Sequence, residues 1–286
     1  SRVSEGVKLN NVNFTVAGLI KVTKKIKPKL SGGPDGYPPY LLKQLIIYAI
    51  ASPLCLLFNS FMSVGKVPID WKSAFITPLF KKGNSSDPSN YRPISLTSVF
   101  SKLMERVIVS ELLNYLLHHK LINKQQHGFL AGKSTSTNLL ESLNDWTINF
   151  KNSLGHRVAY VDFAKAFDSV SHNKIKAKMS SYGISGSLLD WITDFLDDRT
   201  QQTKVGECLS DVTHIKSGVI QGSCLGPLLF LIYINDIVDI FPNTVSIKLY
   251  ADDVKLYSNV NSDASNDYLQ EQLNRLSLWA KDWQMP

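Results

Sequence analysis

Two short strand-like segments frame an Ala-Asp-Asp tripeptide near the end of the chain, and this arrangement constrains the fold more than any other feature. The segments, 245–250 and 254–257, contain the β-branched and aromatic residues typical of strands. A tight turn between them would present Asp252 and Asp253 together at one end of a sheet. Asp is a favoured turn residue, so a solvated turn is the simplest interpretation of an isolated pair. Adjacent carboxylates also repel each other unless a divalent cation holds them.

A third carboxylate, Asp162, ends the apolar run 158–161. A strand of this composition is expected to lie centrally in its sheet. If it pairs with the hairpin, three acids converge at one sheet end. Three carboxylates suit Mg²⁺, which prefers oxygen ligands and recruits substrate phosphates. Two such ions about 3.5–4 Å apart would support in-line phosphoryl transfer, so the pattern indicates that class of reaction.

The rest of the chain alternates helical and strand-like patterns, which predicts a mixed α and β class. A buried helix is expected over 41–62, with an interruption at Pro53. Residues 75–80 are typical of a strand and are followed by a polar loop at 81–88. Further predicted elements are helices over 100–118, 188–196 and 228–237, and a hairpin with strands near Thr203 and Thr213.

The formal net charge of +7 indicates a polyanionic partner, either nucleic acid or an anionic membrane surface. Most of this charge is at one end, because residues 1–30 contain seven basic residues and a single acidic one, Glu5. The basic residues of that segment are Arg2, Lys8, Lys21, Lys24, Lys25, Lys27 and Lys29.

The cysteines are few and scattered, without metal-ligand spacing, which predicts reduced thiols and an intracellular protein. The N-terminus has no signal-peptide pattern, and the start at Ser1 suggests a piece of a longer protein. Polar residues, glycine or proline interrupt both of the most apolar stretches, so no membrane span is expected. The three cysteines are Cys55, Cys208 and Cys224, and the interrupting residues are Lys43, Gln44, Pro53, Gly226 and Pro227.

Five motifs in order resemble those of reverse transcriptases. Tyr250-Ala251-Asp252-Asp253 is similar to the family signature, and residues 161–168 (VDFAKAFD) and 217–230 (SGVIQGSCLGPLLF) resemble its first and second palm motifs. Residues 90–96 (NYRPISL), and HGF at 127–129 followed by KST at 133–135, are similar to finger segments of non-LTR (LINE-type) retrotransposon enzymes. Residues 29–36, and Trp279 with Trp283, match the edges of that lineage.

The resemblance implies an α+β right-hand polymerase fold with fingers and palm subdomains, an antiparallel palm sheet packed on helices, and no thumb. Residues 1–59 would be a basic segment leading into the fingers, and 60–286 the reverse transcriptase domain. The implied activity is RNA-directed DNA polymerase with two Mg²⁺ ions, or Mn²⁺ in their place. The implied partners are an RNA template, a DNA primer, dNTPs and an endonuclease domain in the same polyprotein, without a membrane. The implied location is the cytoplasm and nucleus.

The same resemblance implies a role for individual residues. Asp162, Asp252 and Asp253 would be the catalytic metal ligands, and the backbone carbonyl of Phe163 would add one more oxygen. The Phe167 ring would lie under the incoming sugar and clash with a 2′-hydroxyl, although an ordinary core aromatic is the alternative. The implied nucleotide-binding residues are Lys81 and Arg92 on the triphosphate, with Phe163, Phe167, Gln221 and Gly222 around the pocket.

Other polar residues are predicted to have structural or solvent-facing roles. Asp168 is expected to make a structural hydrogen bond. The acids of the 188–196 helix and its end are expected to form a solvated face, and the histidines lack the partners of a zinc site. These residues are Asp190, Asp194, Asp197 and Asp198, and His118, His119 and His127.

Two alternatives stay open. A group II intron-type reverse transcriptase shares the palm, although 91–96 and the Trp279/Trp283 ending favour the LINE-type lineage. A catalytically inactive, domesticated or truncated remnant would keep the fold as a nucleic-acid-binding module. In the family, a lysine near the leaving pyrophosphate and the thumb follow the last residues of this chain. For this fragment alone, the position of the lysine and the thumb beyond residue 286 favours the binding-module alternative.

Overall fold

Helices contain more of the described residues than strands do, and side-chain caps define where several of the helices begin. The computed structural model describes residues 2–4, 6–27, 33–152, 154–260 and 265–286. Ser98 and Ser134 cap α4 and α5, and Ser134 forms a reciprocal capping box with Thr137. Among the described residues the α-helices are α1 Val16–Lys24, α2 Pro39–Leu45, α3 Ala51–Ser63, α4 Val99–His118, α5 Thr135–Lys151, α6 Ala166–Ser169, α7 His172–Ser181, α8 Gly186–Leu196, α9 Gly226–Ile234 and α10 Ser265–Asp282.

The strands form two separate sheets. The first is mixed, with the order β2-β1-β4-β5 and with β6 also paired to β4. The second is antiparallel, with the order β3-β8-β7. The mixed α and β class predicted from the sequence is confirmed. The strands are β1 Ser73–Phe80, β2 Tyr91–Leu96, β3 Gly155–Val161, β4 Arg199–Val205, β5 Cys208–Leu209, β6 Thr213–Ile215, β7 Ser246–Tyr250 and β8 Asp253–Val260.

The position of β3 differs from the prediction. We expected the apolar run 158–161 to be central, but β3 is an edge strand and β8 lies in the middle. Ala159 and Val161 pack against the core, whereas Tyr160 is 71% exposed on the other face. The prediction failed because a β-branched run needs only one buried face, and the strand pairs on one side only.

The main core lies between the helices and one face of the antiparallel sheet. Every residue of α9 except Pro227 is buried, so this helix is apolar on all sides, as expected of a helix surrounded by protein. Alternate residues of the hairpin strands, such as Leu249 and Leu256, face the same core. Residues of α1 and α3, including Leu19 and Phe58, belong to this cluster as well.

The helix predicted over 41–62 forms, but it neither breaks at Pro53 nor is buried throughout. A π-helical turn, Ile46–Ile50, joins α2 to α3 and places Pro53 in the first turn of α3, where a missing N–H is tolerated. Leu42 and Phe58 are in the core, whereas Tyr48 is 81% and Leu56 71% exposed.

By length and composition alone, one helical span of the described residues, Pro39–Val64, could cross a membrane, and a third of its most apolar window is buried. The interruptions at Lys43, Gln44 and Pro53 therefore do not exclude a span in the way the sequence suggested. A single such helix is weak evidence for a membrane, because core helices of soluble proteins pass the same test.

One acid of the α8 face is not solvated as predicted. The Asp194 carboxylate accepts hydrogen bonds from the Lys66 ammonium at 2.7 Å and the Val67 amide at 2.9 Å, and it pairs with Lys72 at 3.0 Å. These charges hold the pKa of Asp194 below its usual value against the opposing effect of burial. Asp194 therefore fastens the segment before β1 to α8.

The cysteines are free thiols, as predicted.

Candidate active site

Strand pairing brings the three predicted carboxylates to one end of the antiparallel sheet. Tyr250 pairs with Asp253 to close the β7–β8 hairpin around Ala251 and Asp252. Val161 pairs with Val254, so Asp162 emerges beside Asp253. The convergence predicted from the sequence is therefore confirmed, and it arises from the register of three strands.

The electrostatics of this sheet end suit a cation. Burial raises the pKa of Asp252, and the charges of Asp253 and Asp162 raise it further, with Lys81 opposing them. Carboxylate oxygens are the donors that Mg²⁺ prefers, so the residues fit the ion chemically. Within the described residues, however, no group of three His, Cys, Asp or Glu side chains stands in a ready metal-holding arrangement. The acids would have to draw together around an ion.

The turn that carries Asp252 is held from one side by the segment 125–128. Ala251 adopts a left-handed φ of 55°, which residues other than glycine rarely adopt. The Gln126 side chain accepts from the Ala251 amide at 2.9 Å, and a Cβ on Gly128 would lie 2.3 Å from the same nitrogen. Gln126 was not among the predicted site residues, because its only sequence signal is its place beside the motif at 127–129.

The two predicted triphosphate cations lie on the β1–β2 hairpin. Leu79 pairs with Arg92, and the Lys81 amide donates to the Asn90 carbonyl at 2.8 Å, so Lys81 and Arg92 are neighbours at the end of this hairpin. Both side chains are exposed. The charge of Lys81 acts on Asp252, so this cation lies within electrostatic reach of the carboxylates.

The Phe167 ring is half-buried. It is therefore neither a fully buried core aromatic nor a fully exposed ring available to a nucleotide sugar. It stacks on Phe230 with ring centroids 4.6 Å apart and an interplanar angle of 12°. Phe129, itself 52% exposed, packs against Phe167 in a T-shaped arrangement, with ring centroids 6.0 Å apart. Phe163 is buried at 5% exposure and packs against Trp279. The stacking fixes the plane of the Phe167 ring.

Gln221 and Gly222 lie where the second palm motif crosses β2. The Ser95 amide donates to the Gln221 carbonyl at 2.7 Å, and a Cβ on Gly222 (φ 118°) would lie 2.5 Å from the Ser95 oxygen. Only glycine allows this approach. The Gln221 side chain donates to Asp168 Oδ1 at 2.9 Å, which agrees with the structural hydrogen bond expected of Asp168.

A buried acid that sequence analysis missed supports the same loop. Glu105 of α4 has no exposed surface and accepts from the Cys224 amide at 2.7 Å, the Leu225 amide at 3.1 Å and the Ser101 hydroxyl at 2.9 Å. The sequence signal for this role was the position of Glu105, an acidic residue among the apolar positions of an amphipathic helix that are expected to be buried. Glu105 thereby ties the start of α9 to α4.

The end of the chain reaches the first palm motif. The Ala164 amide donates to the Pro286 carbonyl at 2.9 Å. Upstream, the Lys178 ammonium lies 3.6 Å from the Trp283 ring centroid and 2.7 Å from Asp236, and burial lowers its pKa to about 8. The Trp279 and Trp283 stretch therefore places α10 beside the first palm motif, which Trp279 contacts at Phe163.

Comparison with known proteins tests the resemblance to reverse transcriptases that the sequence motifs indicated. The model of the family described as reverse transcriptase (RNA-dependent DNA polymerase) matches residues 80–286. A probable RNA-directed DNA polymerase from transposon BS of Drosophila melanogaster is 30% identical over 94% of this chain and 30% of its own length. The RNA-directed DNA polymerase from mobile element jockey of the same species is 33% identical over 80% of this chain and 26% of its own.

A retrovirus-related Pol polyprotein from the retrotransposable element R2 of Popillia japonica is 30% identical over 64% of this chain and 25% of its own length. The chain thus spans less than a third of the length of these curated relatives. The family match, by contrast, covers well over half of the chain and contains all three converging aspartates. The chain therefore belongs to the reverse transcriptase (RNA-dependent DNA polymerase) family.

Proposed function

We propose that this chain is the polymerase part of a non-LTR retrotransposon protein and that it extends a DNA primer on an RNA template. The observation that carries the proposal is the convergence of Asp162, Asp252 and Asp253, with the Lys81 cation within electrostatic reach. In this proposal the five-stranded sheet with its helices forms the fingers and the antiparallel sheet forms the palm. The relatives named for jockey, BS and R2 elements support the lineage.

The three aspartates would hold two Mg²⁺ ions, or Mn²⁺. Bound divalent ions supply Lewis-acid stabilisation of the transferring phosphoryl group and lower the pKa of the attacking hydroxyl. The chain itself must bring the three carboxylates close together. It does so by placing Asp162 directly after β3, Asp253 at the start of the paired strand β8, and Asp252 in the turn between β7 and β8.

The nucleotide would lie between the β1–β2 hairpin and the sheet end. Lys81 and Arg92 would bind the triphosphate of the dNTP, Arg92 in a bidentate manner and Lys81 as a point charge. Gln221 and Gly222 would line the pocket beside Phe163. The Phe167 ring, with its plane set by Phe230, would exclude a 2′-hydroxyl.

The full-length protein would bring further partners and domains. The template and primer would be held mainly through their backbones, and therefore with little sequence preference. The same proposal includes an endonuclease domain in the same polyprotein and a location in the cytoplasm and nucleus. It also divides the chain into a basic segment, 1–59, and the reverse transcriptase domain, 60–286. The relatives' greater length, and the name polyprotein for the R2 relative, support additional domains.

Primer extension on an RNA template tests the function. The full-length protein containing this chain should extend a DNA primer with dNTPs in Mg²⁺, and EDTA should stop it. A Phe167→Val variant should incorporate ribonucleotides about tenfold or more readily relative to dNTPs, because loss of a steric block of this size is worth about 1–3 kcal/mol. Binding of RNA without extension in either Mg²⁺ or Mn²⁺ would instead favour the inactive binding module.

The basic N-terminal segment is proposed to contact template backbone. Of its lysines, Lys21, Lys24, Lys25 and Lys27 are exposed, whereas Lys29 lies outside the described residues. Replacing all five with glutamine should weaken template binding and make it less dependent on salt concentration. The slope of log K against log salt should become shallower by about 0.7–0.9 for each phosphate that the lysines no longer neutralise. Extension at saturating template should be unchanged. An unaltered slope would assign these lysines to solvated surface.

A further inference from the structure

The backbone of the turn before Asp252 depends on an outside acceptor. Ala251 has a φ of 55°, and its amide points away from the hairpin ladder toward the segment 125–128. A non-glycine residue in this region persists only when its surroundings hold it there. The direction of the Asp252 side chain follows from this backbone, because Asp252 is the next residue.

Gln126 supplies that acceptor. Its Oε1 accepts from the Ala251 amide at 2.9 Å and from the Gly128 amide at 2.7 Å, while its Nε2 donates to the Ala251 carbonyl at 3.4 Å. The residue is only 2% exposed, so water does not compete for these groups. One side chain thus satisfies both backbone polar groups of Ala251.

The segment that carries Gln126 is itself fastened to β7. The Leu249 amide donates to the Gln125 carbonyl at 3.0 Å, and the His127 amide donates to the Leu249 carbonyl at 2.9 Å. Asn138 of α5 donates to the same Leu249 carbonyl at 3.1 Å. Gly128 then passes so close to Ala251 that no side chain fits between them. Gln126 is therefore held rigidly against the turn.

We propose that Gln126 is a positioning residue that sets the geometry of the Ala251–Asp252 turn, so that Asp252 can bind a divalent cation together with Asp162 and Asp253. The expected effect of Gln126 on primer extension rests on the proposed function. Its expected effect on metal binding does not, because metal binding can be measured without substrates. Outer partners that orient metal ligands commonly affect metal affinity by about 10–100-fold. Gln126 does not touch the nucleotide or the reacting atoms in this assignment.

Replacing Gln126 with methionine removes the acceptor while keeping the approximate side-chain volume. Mn²⁺ binding, measured by electron paramagnetic resonance without substrates, should weaken about tenfold or more. The Mg²⁺ concentration for half-maximal primer extension should rise by a similar factor, while RNA affinity stays within about twofold. Gln272→Met is the matched control, because Gln272 is also a buried glutamine, at 1% exposure, and lies on α10.

A Gln126→Glu variant separates positioning from folding. It keeps an oxygen acceptor for both amides and loses only the 3.4 Å donation from Nε2 to the Ala251 carbonyl, so Mn²⁺ binding should weaken less than in Gln126→Met and stay within about threefold of the wild type. Equal metal binding by Gln126→Met and Gln272→Met would overturn the proposal. If the methionine variant does not fold, a tenfold loss of metal binding in a folded Gln126→Glu protein would overturn it instead. If the wild type binds Mn²⁺ in a Gln126-dependent way but extends no primer, the proposed function fails and the positioning role stands.

Discussion

Replacing Asp252 with asparagine is expected to lower the rate of primer extension by roughly 1,000-fold or more, which corresponds to about 4 kcal/mol of lost transition-state stabilisation. The asparagine keeps the shape of the side chain but removes one of three converging charges. Two carboxylates then remain to hold the ions that would neutralise the developing negative charge on the phosphoryl group. Single-turnover extension of a DNA primer on an RNA template, at saturating metal and dNTP, measures the effect.

The same substitution should leave the fold intact and raise its stability slightly in metal-free buffer. Burial and the neighbouring charges of Asp253 and Asp162 raise the pKa of Asp252, so its ionised form is disfavoured in the folded protein. A carboxyl whose folded pKa is raised lowers stability once the pH rises above its unfolded pKa. At neutral pH the neutral asparagine removes this penalty, and the melting temperature without metal should not fall.

Asp211→Asn is a suitable control, because Asp211 is exposed in the loop between β5 and β6. It should extend primers at the wild-type rate. Equal extension by the wild type and Asp252→Asn would exclude the aspartate mechanism. A marked fall in melting temperature of the metal-free Asp252→Asn protein would mean that Asp252 stabilises the fold, contrary to the repulsion described above.

The sequence predicts local pairing well when a pattern of period two is bounded by a tight turn. The hairpin around Asp252 formed as predicted because its strands are adjacent in sequence and Leu249 and Leu256 alternate with polar residues such as Lys248 and Lys255, although the lysines are buried as well. The central position expected for 158–161 was wrong because sheet order depends on long-range pairing. Apolar composition cannot distinguish a central strand from an edge strand that packs on one face.

Single polar residues with long-range partners were the hardest to predict. Asp194 looked like one of several acids on a helix face, yet its partners Lys66 and Lys72 are more than a hundred residues away in sequence. Gln126 carries no signal of its own, since its role depends on how close Gly128 comes to Ala251. Nothing in their local patterns distinguishes such residues from solvated ones, and only the tertiary structure brings their partners together.

The buried carboxyl group of Glu105 is expected to be the largest single contributor to stability near the site. Glu105→Ala leaves the amides of Cys224 and Leu225 and the Ser101 hydroxyl without an acceptor in the protein interior. Losing hydrogen bonds to a buried acid should lower the free energy of unfolding by roughly 3 kcal/mol. For a domain of this size that corresponds to a melting temperature lower by about 6 °C.

The variant should also impair nucleotide binding, because the loop that Glu105 holds continues into Gln221 and Gly222. The Michaelis constant for dNTP is expected to rise more than kcat falls, since the three aspartates lie at the end of the antiparallel sheet and not in this loop. Glu111→Ala is the matched control: it removes an exposed acid from the same helix and should change neither quantity. An unfolding midpoint for Glu105→Ala equal to that of Glu111→Ala would refute the role of Glu105.

Glu105→Gln distinguishes the hydrogen bonds from the charge. The amide oxygen can still accept from Cys224 and Leu225, so the loop should keep its position and the dNTP Michaelis constant should stay close to the wild-type value. The variant loses the negative charge of Glu105, however. Burial lowers the pKa of Arg199 to about 10, and the charge of Glu105 opposes this effect. Arg199 is 1% exposed, so removing that opposing charge makes its buried guanidinium less favourable. The melting temperature of Glu105→Gln should therefore fall between those of the wild type and Glu105→Ala, whereas a value as low as that of Glu105→Ala would assign the whole effect to charge.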